Sequence, residues 1–402
     1  MNVQRRILAV LAATQIVGAL GIGAGLTIGT LLVKDITHSA GWAGMATVVQ
    51  VIGAASVTVP LAKLATRFGR RPALTTGWFI AAVGAFICIK AAVANSLPIV
   101  LIGLCLFGAA VATNLQSRFA AVDRAEPALV GRSLALVVWS STIGAVVGPN
   151  LVGPGATVAH RIGVPALAGP MLFSGAGFLL AAVLTFCLLR PEPLAESLGR
   201  TVVRSSMRTA LPHVRGPVAL AIYAIATAHA IMVAVMALTP VHMQDHGAAL
   251  RIVGITISVH IAGMFAFSPI VGLISDKIGP LRTILAGQAL LIAAVATAGT
   301  SGHSEVQITL GLGLLGVGWS TSVIAGAALV AQSTYGDVRP LVQGISDLSM
   351  HLAGACGGLL AGIVVATLGY GILNAAAGAL AVPLIAAVAT ALRRPKVAEP
   401  AH

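Results

Sequence analysis

The sequence predicts an all-α membrane protein, with twelve transmembrane helices arranged as two pseudo-symmetric six-helix halves. Three observations carry that prediction. First, hydrophobic residues make up 57% of the 402 residues, charged residues only 9%, and the mean hydropathy is +0.98. A soluble domain has about 25% charged residues, so this chain lacks the means to build a water-facing surface. Second, the apolar stretches are continuous and reach the roughly 20 residues that a helix needs to cross about 30 Å of hydrocarbon. The alternating pattern of a barrel strand is missing, which leaves helices to satisfy the backbone in lipid. Third, the basic residues fall on one side of the predicted spans. With the N-terminus inside, Arg5, Arg6, Lys63, Arg67, Arg70, Arg71, Arg118, Arg124, Arg132, Arg190, Arg200, Arg204, Arg208, Arg215, Lys277, Arg282, Arg339, Arg393, Arg394 and Lys396 share the cytoplasmic side. Only Lys34, Lys90, Arg161 and Arg251 fall outside. The positive-inside rule then puts both termini in the cytoplasm of a bacterial cell, with the chain a multi-pass protein of the inner membrane.

The spans read 7–33, 41–62, 73–93, 96–118, 133–158 and 165–189, then 217–240, 249–273, 283–300, 306–332, 341–367 and 370–392. The first is far longer than the apolar core of a cleaved signal. The longest loop, 190–216, carries Pro191, Pro193, five arginines and two glutamates. It divides the chain into a half over 1–189, a cytoplasmic linker over 190–216, and a half over 217–402 that ends in a short cytoplasmic tail. The halves echo each other. Gln116-Ser117 near the end of the fourth span matches Gln332-Ser333 near the end of the tenth. Gly144, Gly148 and Gly153 in the fifth match Gly354, Gly357, Gly358 and Gly362 in the eleventh. Secondary transporters are commonly duplicated in this way, with the substrate held between the halves near the midplane.

Other classes find little support. A net charge of +13 would suggest nucleic acid in a soluble protein. Here the basic residues are loop residues and aromatics make up 4%, so the partner is the bilayer and no nucleic acid is expected. Cys88, Cys105, Cys187 and Cys356 lie inside apolar spans without CxxC spacing, as small core residues do. Gly311-Leu-Gly-Leu-Leu-Gly316 spells GxGxxG, but it lies within a span and follows no strand. There is no P-loop and no HExxH, so neither an enzyme nor a resident cofactor is expected.

Two motifs point further. Gly272-Leu-Ile-Ser-Asp276-Lys277-Ile-Gly279 follows the eighth span, and Thr66-Arg67-Phe68-Gly69-Arg70-Arg71 follows the second. These loops resemble the G-x-x-x-D-R/K-x-G signature of the major facilitator superfamily, with Thr66 where the usual Asp stands. The resemblance runs over essentially the whole chain and implies gating by these loops, resting more on the intact Asp276 copy. Gly144-xxx-Gly148-Pro149 resembles a fifth-helix motif of exporters in that superfamily, although close helix packing through small residues explains it as well. A narrower resemblance rests on Met232-Val-Ala-Val-Met236 in the seventh span and His260-Ile-Ala-Gly-Met264 in the eighth. The pair is similar to the signature of the major facilitator copper importers of cytochrome oxidase assembly. That resemblance implies copper as the transported substrate, with Met232, Met236, His260 and Met264 as ligands. Related members import riboflavin.

The chemistry agrees with the narrower resemblance. Residues four apart share a helix face, and thioether and imidazole suit Cu(I). The short connection 241–248 predicts that the seventh and eighth spans are antiparallel neighbours, giving a descending ladder of weak sites in series. His242, Met243 and His246 stand at the outer mouth as candidate capture residues, and His229 lies one turn before Met232. The plain alternative is that methionine fills gaps in an apolar core. Asp347 is the one carboxylate well inside a span. It is a candidate for proton coupling or for orienting His351 beside Met350, or else a helix-end charge paired with Arg339 or a neighbouring helix. Asn114, Gln116 and Arg118 are candidates for the cavity wall, with Arg118 otherwise at the cytoplasmic edge in a gating pair with Asp123 or the loop motif. The expected reading is a monomeric copper importer working by alternating access. A riboflavin-type importer using Trp139, Trp319, Asn114 and Gln116, or a proton-coupled exporter of drugs or metabolites, is the rival.

Overall fold

The computed structural model describes residues 3–38, 40–194, 207–302 and 304–393. Arg200, Arg204, Arg394 and Lys396 lie outside the described residues, as does the middle of the linker. The first half contains α1 (Val3–Thr37), α2 (Ala40–Phe68), α3 (Arg70–Ala94), α4 (Leu97–Ala120), α5 (Val130–Val147), α6 (Val152–Arg161) and α7 (Gly169–Leu188). A short α8 (Met207–Ala210) belongs to the linker. The second half contains α9 (Gly216–Asp245), α10 (Leu250–Phe265), α11 (Ser268–Ile278), α12 (Pro280–Gly299), α13 (Glu305–Gln332), α14 (Arg339–Ala379) and α15 (Ala381–Arg393).

These helices make twelve crossings. The fifth span is α5 and α6 joined by a tight turn over Gly148–Leu151, and the eighth is α10 and α11. The eleventh and twelfth share α14, which is broken at Gly369, where φ is 85° and ψ is 171°. Leu341 and Val342 before the break pack in one cluster with Leu384 and Val388 after it, so the two crossings return to the same side. Tyr370 lies at the opposite side, where its ring stacks on His242 with centroids 4.2 Å apart.

Each half has its own core. Trp78, Phe107 and Phe178 join α3, α4 and α7, with ring centroids at 5.9 and 5.1 Å. Close backbone contact builds the rest. A Cβ on Gly144 would meet the α1 backbone at Ile16 and Leu20, and one on Gly148 would lie 2.8 Å from Gly23 Cα. The glycine–proline motif therefore packs α5 onto α1 through small residues. In the second half α9 packs on α14 and α13, and α10 packs on α13 and α5, with little direct contact between α9 and α10. The expectation of the seventh and eighth spans as packed neighbours is thus corrected. A short loop fixes where two helix ends meet, whereas the glycines of α13 let that helix pass closer to α10. A Cβ on Gly316 would lie 2.8 Å from Met264 N.

Candidate functional site

The two halves meet most tightly on the side that carries the basic loops. Gly69 and Gly279, with φ of 96° and 89°, turn the chain between consecutive helices in a conformation that side-chain-bearing residues rarely adopt. In the second half this turn presents Asp276 to the first. Its carboxylate accepts hydrogen bonds from Gly131 N at 2.7 Å and Arg132 N at 3.0 Å, capping the N-terminus of α5 across the boundary. Carboxylate at a helix N-terminus is favourable through both the free N–H groups and the helix dipole. Gly131 and Gly272 let the two backbones approach, because a Cβ on either would lie about 2.5 Å from the other's carbonyl oxygen.

The first half closes differently. The Thr66 hydroxyl donates back to Ala62 O at 3.0 Å and crosses nothing. Glu192, from the linker, accepts from Arg70 N at 2.5 Å and Arg71 N at 3.1 Å and so caps α3. Arg70 then reaches Asp123 at 2.7 Å and donates to Gln343 Oε1 of the other half. Asp123 also faces Arg339 of α14 at 3.9 Å. Of the predicted gating residues, Gly69, Arg70, Gly272, Asp276 and Gly279 form this closure. Arg67 and Arg71 instead lie over the rings of Phe68 and Phe186, at 5.0 and 5.7 Å, and Lys277 is exposed.

Deeper in the membrane, Arg118 of α4 donates to Asp347 Oδ1 of α14 at 2.5 Å, and both side chains are buried. The expected Arg118–Asp123 pair is therefore replaced by a charge pair across the half boundary, with Arg70 occupying Asp123. Asp347 pairs with a neighbouring helix and not with Arg339. Asp347 Oδ2, His351 Nε2, and Arg118 Nε and Nη1 are buried and make no hydrogen bond within the protein. His229 accepts the indole N–H of Trp319 on its Nδ1 at 3.0 Å and rests against Gly354. Asn114 is half-buried, and its carbonyl accepts from Gln15 Nε2 at 3.1 Å. Gln116 is buried and donates to Thr58 O at 2.8 Å, which ties α4 to α2.

Met232, Met243 and Met350 belong to the core cluster of the second half, and Met236 and Met264 pack against it. Five of the nine methionines thus share one cluster. Met243 is only 1% exposed, so of the candidate capture residues only His242 and His246 reach the surface; their ring centroids are 4.2 Å apart. His260 is buried, and its Nδ1 lies 2.9 Å from Leu312 O. A carbonyl only accepts, so Nδ1 carries the proton and Nε2 keeps its lone pair. That nitrogen is buried without a partner. Among the described residues no three of His, Cys, Asp and Glu are grouped to hold a metal ion, so a metal here would depend on thioethers. Gln15, Glu192 and Gln343 were not singled out by sequence reasoning, and Asp123 was named only as a partner for Arg118. The available signal for Glu192 was the scarcity of carboxylates, 11 in the whole chain.

The family model described as Major Facilitator Superfamily matches residues 10–250 and 233–402. The uncharacterised MFS-type transporter YddS of Bacillus subtilis is 38% identical over 400 residues, covering 97% of this chain and 92% of the relative. The riboflavin transporter RfnT of Brucella anthropi is 26% identical over 373 residues, covering 92% of each. A bacterial homologue of the iron transporter ferroportin, solved in its outward-facing state, superposes with a TM-score of 0.76 at 15% identity. That match covers 98% of this chain and all of the other. The proton:xylose symporter XylE gives 0.75 at 16% identity, covering 95% and 94%. At these identities the two structures establish the shared fold.

Proposed function

Because the chain belongs to the Major Facilitator Superfamily, and is a membrane transporter and not an enzyme, we propose that it imports copper by alternating access. The observation that carries this reading is His260. Metal-bound histidines usually donate their second ring nitrogen to a carbonyl or carboxylate, which fixes the tautomer and aims the lone pair. His260 has that arrangement through Leu312 O, beside a cluster holding Met232, Met236, Met264 and Met350. Sulfur and imidazole donors favour Cu(I) over hard cations. His242 and His246 stand at the mouth of the pathway. With both termini in the cytoplasm of the bacterial cell, as the basic loops predict, the closed basic face is the cytoplasmic gate. Inward movement of a monovalent cation gains about 2.3 kcal/mol per 100 mV of membrane potential, which suffices without nucleotide hydrolysis.

Radioactive copper uptake by cells expressing wild type, Met232→Ala or His260→Ala at equal level tests this. Uptake in wild type that falls at least about tenfold in both variants is expected from losing one ligand of a few-donor site. Equal uptake in all three would sink the copper reading. The resemblance to RfnT favours a second reading, import of a planar organic molecule such as riboflavin. Its physical basis is the aromatic group of Trp319, Phe265 and His229, with the Trp319 and Phe265 centroids 6.1 Å apart, and the Gln15 amide, which donates to the Asn114 main-chain carbonyl. Riboflavin uptake in the same cells, without copper uptake, would select it.

A further inference from the structure

We infer that His242 and His246, at the end of α9 away from the basic loops, form a two-imidazole site for a divalent transition metal such as Zn(II). The bound ion staples the last turn of that helix. Residues four apart share a helix face, and the two ring centroids are 4.2 Å apart. His246 Nδ1 lies 2.7 Å from His242 O. A carbonyl only accepts, so Nδ1 carries the proton and Nε2 the lone pair, the arrangement that metal-bound histidines usually have. His242 presents its face to Tyr370, with the rings parallel to within 10° and centroids 4.2 Å apart. Stacking uses the face of an imidazole and ligation its edge, so the two are compatible. Tyr370 is itself positioned: its hydroxyl lies 2.8 Å from Thr239 Oγ1, and it follows the backbone turn at Gly369.

The chemistry of the pair sets the class of ion. Met243, beside His242 in sequence, is 1% exposed and belongs to the core, so no thioether joins the imidazoles. Imidazole donors alone suit Zn(II), Ni(II) and Cu(II). The pair sits in the last turn of a helix that ends at Asp245, where the helix dipole favours a cation. Asp245, exposed on the same turn, adds a negative charge. Among the described residues no group of three His, Cys, Asp or Glu could hold a metal ion, so water completes the coordination and the ion exchanges. Its effect on the fold follows from Pro240, which lies inside α9 and has no N–H to give the Met236 carbonyl. An ion joining 242 to 246 spans the turn just after that missing rung. Both donors meet only while this turn is helical, so binding stabilises the turn and its stack on α14. The inference does not rest on the copper reading.

The test uses the full chain with its four cysteines replaced by alanine, so that no thiol competes, purified on a tag without histidine. Calorimetry reads zinc binding, and backbone hydrogen exchange over 241–248 is followed with and without zinc. The inference expects affinity to fall at least about tenfold on losing either of two tethered donors. The variants are His246→Ala, at an exposed position, and His242→Phe, which keeps a ring on Tyr370. His260→Ala should bind zinc as the parent does. Tyr370→Leu removes no ligand but should weaken binding severalfold, and Tyr370→Phe, which keeps the stack, should not. Zinc should slow exchange over 241–248 in the parent and leave His246→Ala unchanged. Absence of binding, or binding that survives in both histidine variants, overturns the inference. Full affinity in Tyr370→Leu would reduce the pair to an adventitious surface chelate, and unchanged exchange in the parent would remove the staple; each overturns it as well. Radioactive copper uptake decides the copper reading separately, whichever result zinc gives.

Discussion

Gly354 sits where α14 passes closest to the His229 ring. A Cβ there would lie 2.5 Å from His229 Cδ2 and 2.9 Å from Nε2, and the ring is already fixed from its far side by the Trp319 N–H. Gly354→Ala should therefore push the imidazole off the indole and lower stability by about 1–3 kcal/mol, the usual cost of overpacking. Thermal unfolding of the detergent-solubilised protein measures it. His229→Ala in the same background removes the clashing ring, so the double variant should recover most of the loss, whereas independent effects would add. The sequence singled out the MxxxM and HxxxM residues, Asp347 and the loop glycines; in the structure Met232 lies in, and Met236 and Met264 against, the broad core of the second half. The partner of Arg118 was not legible. An arginine at the predicted end of a span looks like an edge residue, but α4 continues to Ala120 and the side chain is buried between halves. Sequence spacing fixes neighbours along one helix; pairing across two halves 229 residues apart depends on how the bundles dock.

The loop motif illustrates what one substitution does to an element. Asp276 caps α5 across the boundary, while Thr66, three residues before the matching glycine, turns its hydroxyl inward. The closed basic face is consequently held by a charge-assisted cap on one edge and by the Arg70–Gln343 hydrogen bond on the other. Two opposite predictions follow from this asymmetry. Asp276→Asn keeps the shape but loses the charge at the helix N-terminus, about 1 kcal/mol, which shifts the closed-to-open ratio about fivefold toward open. Thr66→Asp should add a cap on the N-terminus of α14 by pseudo-symmetry, favouring the closed face and slowing turnover. Distance distributions between labels at positions 68 and 278 report both. Movement of the two variants in the same direction would show that the matching position does not face α14. The asymmetry was half legible: the missing carboxylate at 66 could be read, but Glu192 arriving from the linker to cap α3 could not, because it lies 122 residues from the amide it accepts.

At the scale of the whole molecule, the twelve crossings rest on continuous apolar length, which sequence reports well. The count survived even where one helix, α14, runs through Gly369 into the next crossing. How the crossings pack is set by glycines and shape, and that is why the adjacency of α9 and α10 failed while the span count held. Orientation depends on neither packing nor fold but on where the positive charges lie, and the sequence predicts twenty on one side against four on the other. It leads to a prediction independent of substrate. In the cysteine-free chain, single cysteines at Arg161 and Asp245, both exposed at the far ends of α6 and α9, should react in intact cells with a membrane-impermeant maleimide. Cysteines at Phe68 and Ile278, exposed at the basic face, should react only after permeabilisation. The reverse pattern would place the basic face outside. The closed gate would then be the outer one, and the inward direction proposed for copper would have to be abandoned.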